Sequence, residues 1–348
     1  MKNVDNKKQF SVVCTSVGND GFQAVWKALS DSIYRLVGID CDRDCYGIEL
    51  SNGYEVPERV SANYYNAVVD VCKKVKAKVI YPLSTDDQDY YAEHIGRFRT
   101  DDISVIVSDA GSLEIANDKL KLLEFAKEIG TNIPRYSIVE STDELHAAIN
   151  NIGWKNGLIV AKKSRSTGCQ GVKIIDNKSK TYEMFYNRER VHVSFEEFLH
   201  WLENRKDRDD GLHLIEYLPG KEYSVDVFLD GEVKCVVTRR RHRAYYGMAT
   251  IAETISFPEL EEQAGFLAKR IGLKNVVNIQ FREDEKGIPR LMEINPRIPA
   301  GIDLTIAAGC NMPLWAIEKA HGIEPVYTRP IIGAKMRRRW DAVFSGVR

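Results

Sequence analysis

The chain has 348 residues, 44% of them hydrophobic, with 49 Lys plus Arg against 50 Asp plus Glu and a formal net charge of -1. Such a length divides into two or three domains, and the balanced charge removes any general electrostatic drive toward nucleic acid or an anionic membrane. No run approaches the roughly 18 apolar residues that span a bilayer, residues 1–8 lack the apolar stretch of a secretory signal, and seven scattered Cys suit reduced thiols, so a cytoplasmic chain is expected.

Residues 10–14, 22–29 and 33–40 read as strand, helix and strand, with further strands at 79–82 and 105–107. Alternating strands and helices predict a parallel sheet. Gly18-Asn19-Asp20-Gly21 sits at the first strand-to-helix turn but does not complete Gly-x-Gly-x-x-Gly, so it fits plain turn geometry as well as a phosphate loop. Asn117-Asp118-Lys119 then opens a helix whose apolar residues recur at helical spacing as far as Gly130, a suitable stop. Ser141 with Glu144, and Ser194 with Glu197, have the spacing of capping boxes.

Residues 158–175 read as a strand, a basic hydroxyl-rich loop and a second strand. Lys162 could neutralise phosphate charge there, while Gly168 and Gly171 would let backbone N–H groups approach an anion without a Cβ in the way. The Gly-Lys-Ser/Thr of a P-loop is absent, and a basic hairpin tip fits the same pattern. Residues 213–227 read as strand, turn and strand; Tyr217 and Leu218 could flank a base and Glu222 could accept from ribose hydroxyls, or the segment is an ordinary hairpin. In Thr238-Arg239-Arg240-Arg241-His242-Arg243, alternation sends Arg239, Arg241 and Arg243 to one face, where a guanidinium fork could meet a carboxylate or phosphate, although basic runs are also often solvated.

Residues 275–281 and 291–295 alternate around the turn-like Asp284-Glu285-Lys286-Gly287, which predicts an antiparallel hairpin with Gln280 beside Glu293. Glu293 and Asn295 then share a face about 7 Å apart, and Mg²⁺ needs only one or two protein oxygens when phosphates and waters complete its shell. Pro296 ends the strand and leaves Arg297 near that face.

Taken in order, Asp118-Lys119, the Lys162 strand with its Gly-rich loop, the 216–223 segment, Gln280 and Glu293-Ile294-Asn295-Pro296-Arg297 resemble the ATP-grasp superfamily, in its carbamoyl-phosphate-synthase large-subunit flavour. The resemblance covers nearly the whole chain and implies an α/β and α+β architecture. Residues 1–115 would form a parallel-sheet, Rossmann-like domain preceding the grasp, 116–216 the small lobe with its linking helix, and 217–348 the large lobe with the metal site. It implies MgATP, with one or two Mg²⁺ or Mn²⁺ in their place. Lys119 and Lys162 would contact phosphates, Glu216, Tyr217 and Leu218 would line the adenine end, and Glu222 the ribose. Gln280, Glu293 and Asn295 would hold metal, and Arg297 would lie beside the transferred phosphoryl group. Two positions depart from the pattern of many members: Lys163 stands where they have Pro, and Gln280 where they have a carboxylate.

The implied reaction activates a small-molecule carboxylate as an acyl phosphate and joins it to an amine, releasing ADP and phosphate. Arg241, with Arg239 as second choice, is the expected carboxylate anchor. A phosphotransferase on a small metabolite and a non-catalytic nucleotide-binding protein are the alternatives. Neither nucleic acid nor membrane is expected as a partner, and a homodimer is compatible with the chain.

Overall fold

The computed structural model describes residues 8–154, 157–165, 171–176, 192–205, 211–245 and 247–344, and Gly168 lies outside them. Three sheets organise these residues.

The first sheet holds β1 (Phe10–Thr15), β2 (Tyr34–Asp40), β3 (Tyr54–Glu55), β4 (Ala77–Pro82) and β5 (Ser104–Val105), in the order β3-β2-β1-β4-β5. Every pairing in it is parallel, as the alternation of elements predicted. Its central strands, such as Val12-Val13-Cys14, are continuously buried because helices cover both faces. The predicted 105–107 strand is only the two-residue β5; Ile106 and Val107 are buried in the connection to the Ala110–Asn117 helix instead.

The second sheet holds β6 (Tyr136–Ile138), β7 (Leu158–Lys162), β8 (Val172–Asp176), β9 (His192–Ser194) and β10 (His213–Glu216), in the order β6-β10-β7-β8-β9. The Thr142–Ile152 and Phe195–Asn204 helices pack Leu145, Ile149, Phe198 and Leu202 against Ile159 and Leu214 of this sheet. Ser194 and Glu197 form a full capping box. Ser141 caps Glu144, but the Glu144 carboxylate reaches the Glu140 N–H at 2.8 Å instead of the cap residue, so only half of that box forms.

The third sheet is a six-stranded antiparallel array of β11 (Glu222–Asp230), β12 (Glu232–Tyr245), β13 (Met248–Ile255), β14 (Asn275–Glu283), β15 (Pro289–Asn295) and β16 (Lys335–Arg337), ordered β15-β14-β11-β12-β13-β16. One face of β11 packs Val225 and Val227 against Leu260, Ala264 and Leu267 of the Pro258–Ile271 helix. Phe228, on the opposite face, joins Trp315 of the Met312–Ala320 helix in a core continuous with Val12, Leu36 and Val79 of the first sheet. The C-terminal helices thus weld the first sheet to the third. Among the described residues no helix is long and apolar enough to cross a membrane.

Candidate functional site

The predicted hairpin forms as β14 and β15, with Gln280 directly opposite Glu293. The Asp284 carboxylate closes its turn by accepting from Lys286 N–H at 2.8 Å and Ile288 N–H at 3.0 Å. Alternation holds from Glu293 onward, with Ile294 buried in the core behind the sheet and the Asn295 amide donating to Glu293 Oε1 at 3.2 Å on the other face, but a bulge at Gln280/Phe281 puts Leu291 on the core side in place of Met292. Arg297 donates to Asn295 Oδ1 at 3.4 Å and to Thr85 Oγ1 at 3.3 Å. Thr85 begins the Thr85–Glu93 helix after β4, so the first domain forms part of the site.

Opposite this face, Lys119 opens the Lys119–Glu128 helix and its N–H donates to the Ser164 carbonyl at 3.0 Å. The Asp118 carboxylate caps that helix by accepting from Leu120 and Lys121 N–H, and also accepts from the Ser164 hydroxyl. The helix start and the root of the basic loop are thereby tied together. Lys162 ends β7 and is buried, paired across the sheet with His213 of β10.

These elements surround a cavity of about 450 Å³ whose lining includes Asp89, Lys119, Arg165, Gly171, Glu293 and Asn295. Burial would push the Glu293 carboxyl up, but Lys162 and Lys119, with the Asn295 amide and Arg297, hold it below the usual carboxylate range. Burial lowers Lys119 and Arg297, and Glu293 opposes both shifts. The site is an ionised carboxylate among three cations, an arrangement suited to an oxyanion-rich ligand that brings a metal ion of its own.

The proposed metal ligands are neighbours on the hairpin but differ in their partners. Glu293 and Asn295 stand together, whereas the Gln280 carbonyl accepts from Arg241 at 3.3 Å, so its oxygen is already engaged. A lone carboxylate beside an amide fits Mg²⁺ held mainly by phosphates.

The nucleoside-end candidates also acquire specific partners. Glu216 accepts from the Arg135 backbone N–H at 2.9 Å and from its guanidinium at 2.8 and 3.0 Å, which fixes the end of β10. Leu218 is buried, and the Arg282 guanidinium lies over the Tyr217 ring, 5.8 Å from its centroid. Glu222 pairs with Arg241 at 2.5 Å beside a second cavity of about 650 Å³, lined in part by Pro219, Arg241, Arg243 and Arg282. Arg241 NH1 meets Glu222 and Gln280 and its NH2 meets the Gly247 carbonyl, which leaves Nε–H unpaired among the described residues.

Arg239 is not available as an anchor. It is wholly buried, donating to Asp226 at 2.7 Å, Ser224 at 3.0 Å and the Gly301 carbonyl at 2.9 Å. Asn278 and Thr305 complete the shell of Asp226. Alternation placed Arg239 and Arg241 on one face correctly, but only tertiary packing decided that Arg239 would meet a buried Asp226. Thr85 and Asp89 had no place in the sequence expectations, and Arg165 entered them only as part of the basic loop, with no role of its own. The only local signal for Thr85 is its place after the N-cap Ser84, which says nothing of Arg297.

Residues 208–340 match the family described as ATP-grasp in the biosynthetic pathway with Ter operon. The 2-oxoglutarate carboxylase small subunit of Hydrogenobacter thermophilus is 27% identical over 277 residues, covering 74% of this chain and 55% of that subunit. A carbamoyl phosphate synthase large chain of Clostridium botulinum is 23% identical over 246 residues, covering 67% of this chain and 20% of the synthase chain. The chain therefore spans about half the length of the first relative and a fifth of the second. The crystal structure of the biotin carboxylase domain dimer of the Hydrogenobacter 2-oxoglutarate carboxylase, in complex with MgADP, ADP and bicarbonate, superposes with a TM-score of 0.67 at 21% identity, covering 94% of this chain and 73% of that one. The architecture is the ATP-grasp fold in its biotin-carboxylase-like form. The narrower carbamoyl-phosphate-synthase flavour expected from the motifs gives way to this broader likeness, since both kinds of protein match.

Proposed function

We propose that this chain is an ATP-dependent, ADP-forming ligase that activates a carboxylate as an acyl phosphate and passes the acyl group to an amine. The observation that carries this reading is Glu293, held ionised between Lys119, Lys162 and Arg297 in the wall of a cavity shared by all three sheet regions. Lys119 and Lys162 neutralise the phosphates, and the Gly171 backbone lines the cavity beside them. Leu218 and Tyr217 receive the adenine beside Glu216, and Glu222, oriented by Arg241, accepts from the ribose.

Glu293 and Asn295, with Gln280 as a further oxygen, would hold Mg²⁺, which supplies charge neutralisation across the phosphates when bound. Arg297 sits where negative charge gathers on the transferred phosphoryl group and stabilises it electrostatically. The substrate carboxylate, drawn in by the positive charge of Arg241 and Arg243, attacks the γ-phosphorus with its own lone pair, and the bond to the bridging oxygen breaks to release ADP. The amine nitrogen then attacks the acyl carbon, phosphate leaves, and the amine proton passes to solvent. Neither step requires a buried general base, because the substrate carboxylate is its own nucleophile and the amine proton passes to solvent.

Hydroxylamine trapping tests the reading. With MgATP and a panel of amino acids and sugar acids, the expected result is hydroxamate in one well with a matching amount of ADP. ADP without hydroxamate would replace this reading with phosphoryl transfer to a hydroxyl or water.

A further inference from the structure

His213 carries a feature that the proposed chemistry does not yet use. It is the first residue of β10, wholly buried, and stands directly opposite Lys162 of β7. Directly opposed residues of an antiparallel pair project to the same face with Cβ atoms about 5 Å apart, so the imidazole and the lysine stem run side by side. Nδ1 lies 3.0 Å from the Gly211 carbonyl. A carbonyl can only accept, so Nδ1 bears the hydrogen and Nε2 is a bare acceptor. Among the described residues no group donates to Nε2.

The surroundings keep this tautomer neutral. Burial, with Lys162 and Lys119 nearby, brings the imidazole down to about 4. Its position is also rigid: at Gly211, which has φ +61°, an added Cβ would lie 2.5 Å from the Ser164 Cβ, so the entry to β10 packs directly on the root of the basic loop. A buried acceptor without a donor is costly to leave unused and marks a bond made in another state of the site.

Resting on the nucleotide reading above, we propose that His213 Nε2 accepts a hydrogen bond from the Lys162 ammonium when a nucleotide triphosphate is bound, and thereby orients that ammonium toward the phosphates. An ammonium has three donors, and phosphate oxygens leave at least one for the protein. A carboxylate in place of His213 would hold the lysine equally well but would cancel the charge that the phosphates require. The neutral imidazole orients without neutralising. His213 is thus a positioning residue acting through Lys162.

The test is calorimetric binding of Mg²⁺ with β,γ-imido ATP to the full chain and to His213→Leu, His213→Gln and Lys162→Ala variants. His213→Leu should weaken binding about tenfold, as loss of a hydrogen bond to a charged donor does. His213→Gln, which can place its carbonyl oxygen near the ε position, should come within about threefold of the parent at the same melting temperature. In the Lys162→Ala background, His213→Leu should add nothing, because the two act as one unit. Should His213→Leu fail to fold, His213→Asn, which lacks an acceptor at the ε position, takes its place. Unchanged binding by the Leu variant, a Gln variant as weak as Leu, or full additivity with Lys162→Ala would overturn the proposal while leaving the nucleotide site standing. A parent protein that does not bind the nucleotide would overturn both.

Discussion

Replacing Arg239 with Met should destabilise the third sheet out of proportion to the volume removed. The Arg239 guanidinium is 1% exposed and Asp226 is fully buried, joined at 2.7 Å. Removing only the cation leaves a carboxylate with Asn278 and Thr305 as donors but no countercharge, and breaking such a pair costs about 3–5 kcal/mol. The same substitution frees the Gly301 carbonyl, now bonded at 2.9 Å, and so loosens the turn that follows Arg297. Neutralising the partner as well, in Arg239→Met with Asp226→Asn, removes the uncompensated charge and should recover about 1–2 kcal/mol. Urea denaturation followed by far-UV circular dichroism, with hydrogen exchange of β11, β12 and β14 amides, measures both. A single variant that loses less than about 1 kcal/mol, or a double variant no more stable than the single, would show that the pair does not hold the sheet in the way its geometry requires.

Three further perturbations address the site and its support. Glu293→Ala should abolish ATP turnover with the circular dichroism spectrum unchanged, and a normally active variant would remove Glu293 from the metal site. In the nucleotide-free protein, the Glu293 carboxyl is held below its unfolded value, so its ionisation stabilises the fold above the ordinary glutamate range. That contribution disappears as pH falls through the lowered folded value. Thermal melts against pH should therefore show the parent losing stability on acidification more steeply than Glu293→Gln, and parallel curves would contradict the electrostatic picture. Gly301→Ala places a Cβ 2.2 Å from Arg239 NH1, on a guanidinium whose NH2 is held by Asp226 and Ser224, and should cost about 1–3 kcal/mol by thermal melting. An unchanged melting temperature would mean that the guanidinium moves freely.

Local physics made a good part of this chain legible from its residues alone. The parallel first sheet followed from alternating buried strands and helices, the Ser194 cap from its spacing to Glu197, and the Gln280–Glu293 pairing from a short turn between two alternating strands. The cap depends on neighbours within a few residues, the pairing on a hairpin closed by a tight turn, and the parallel sheet on the repeated order of its strands and helices. Identical alternation could not say that Arg239 would be sealed against Asp226 while Arg241 met Glu222, because that choice depends on how helix and loop segments cover the two ends of one sheet. Nor could it bring Thr85 to Arg297 or leave His213 Nε2 bare beside Lys162. Dihedral preferences and the two-residue period of a strand determine which side chains share a face. Which of them meet across separate sheets is decided only when the sheets pack, since no short-range term in the chain couples residues so far apart.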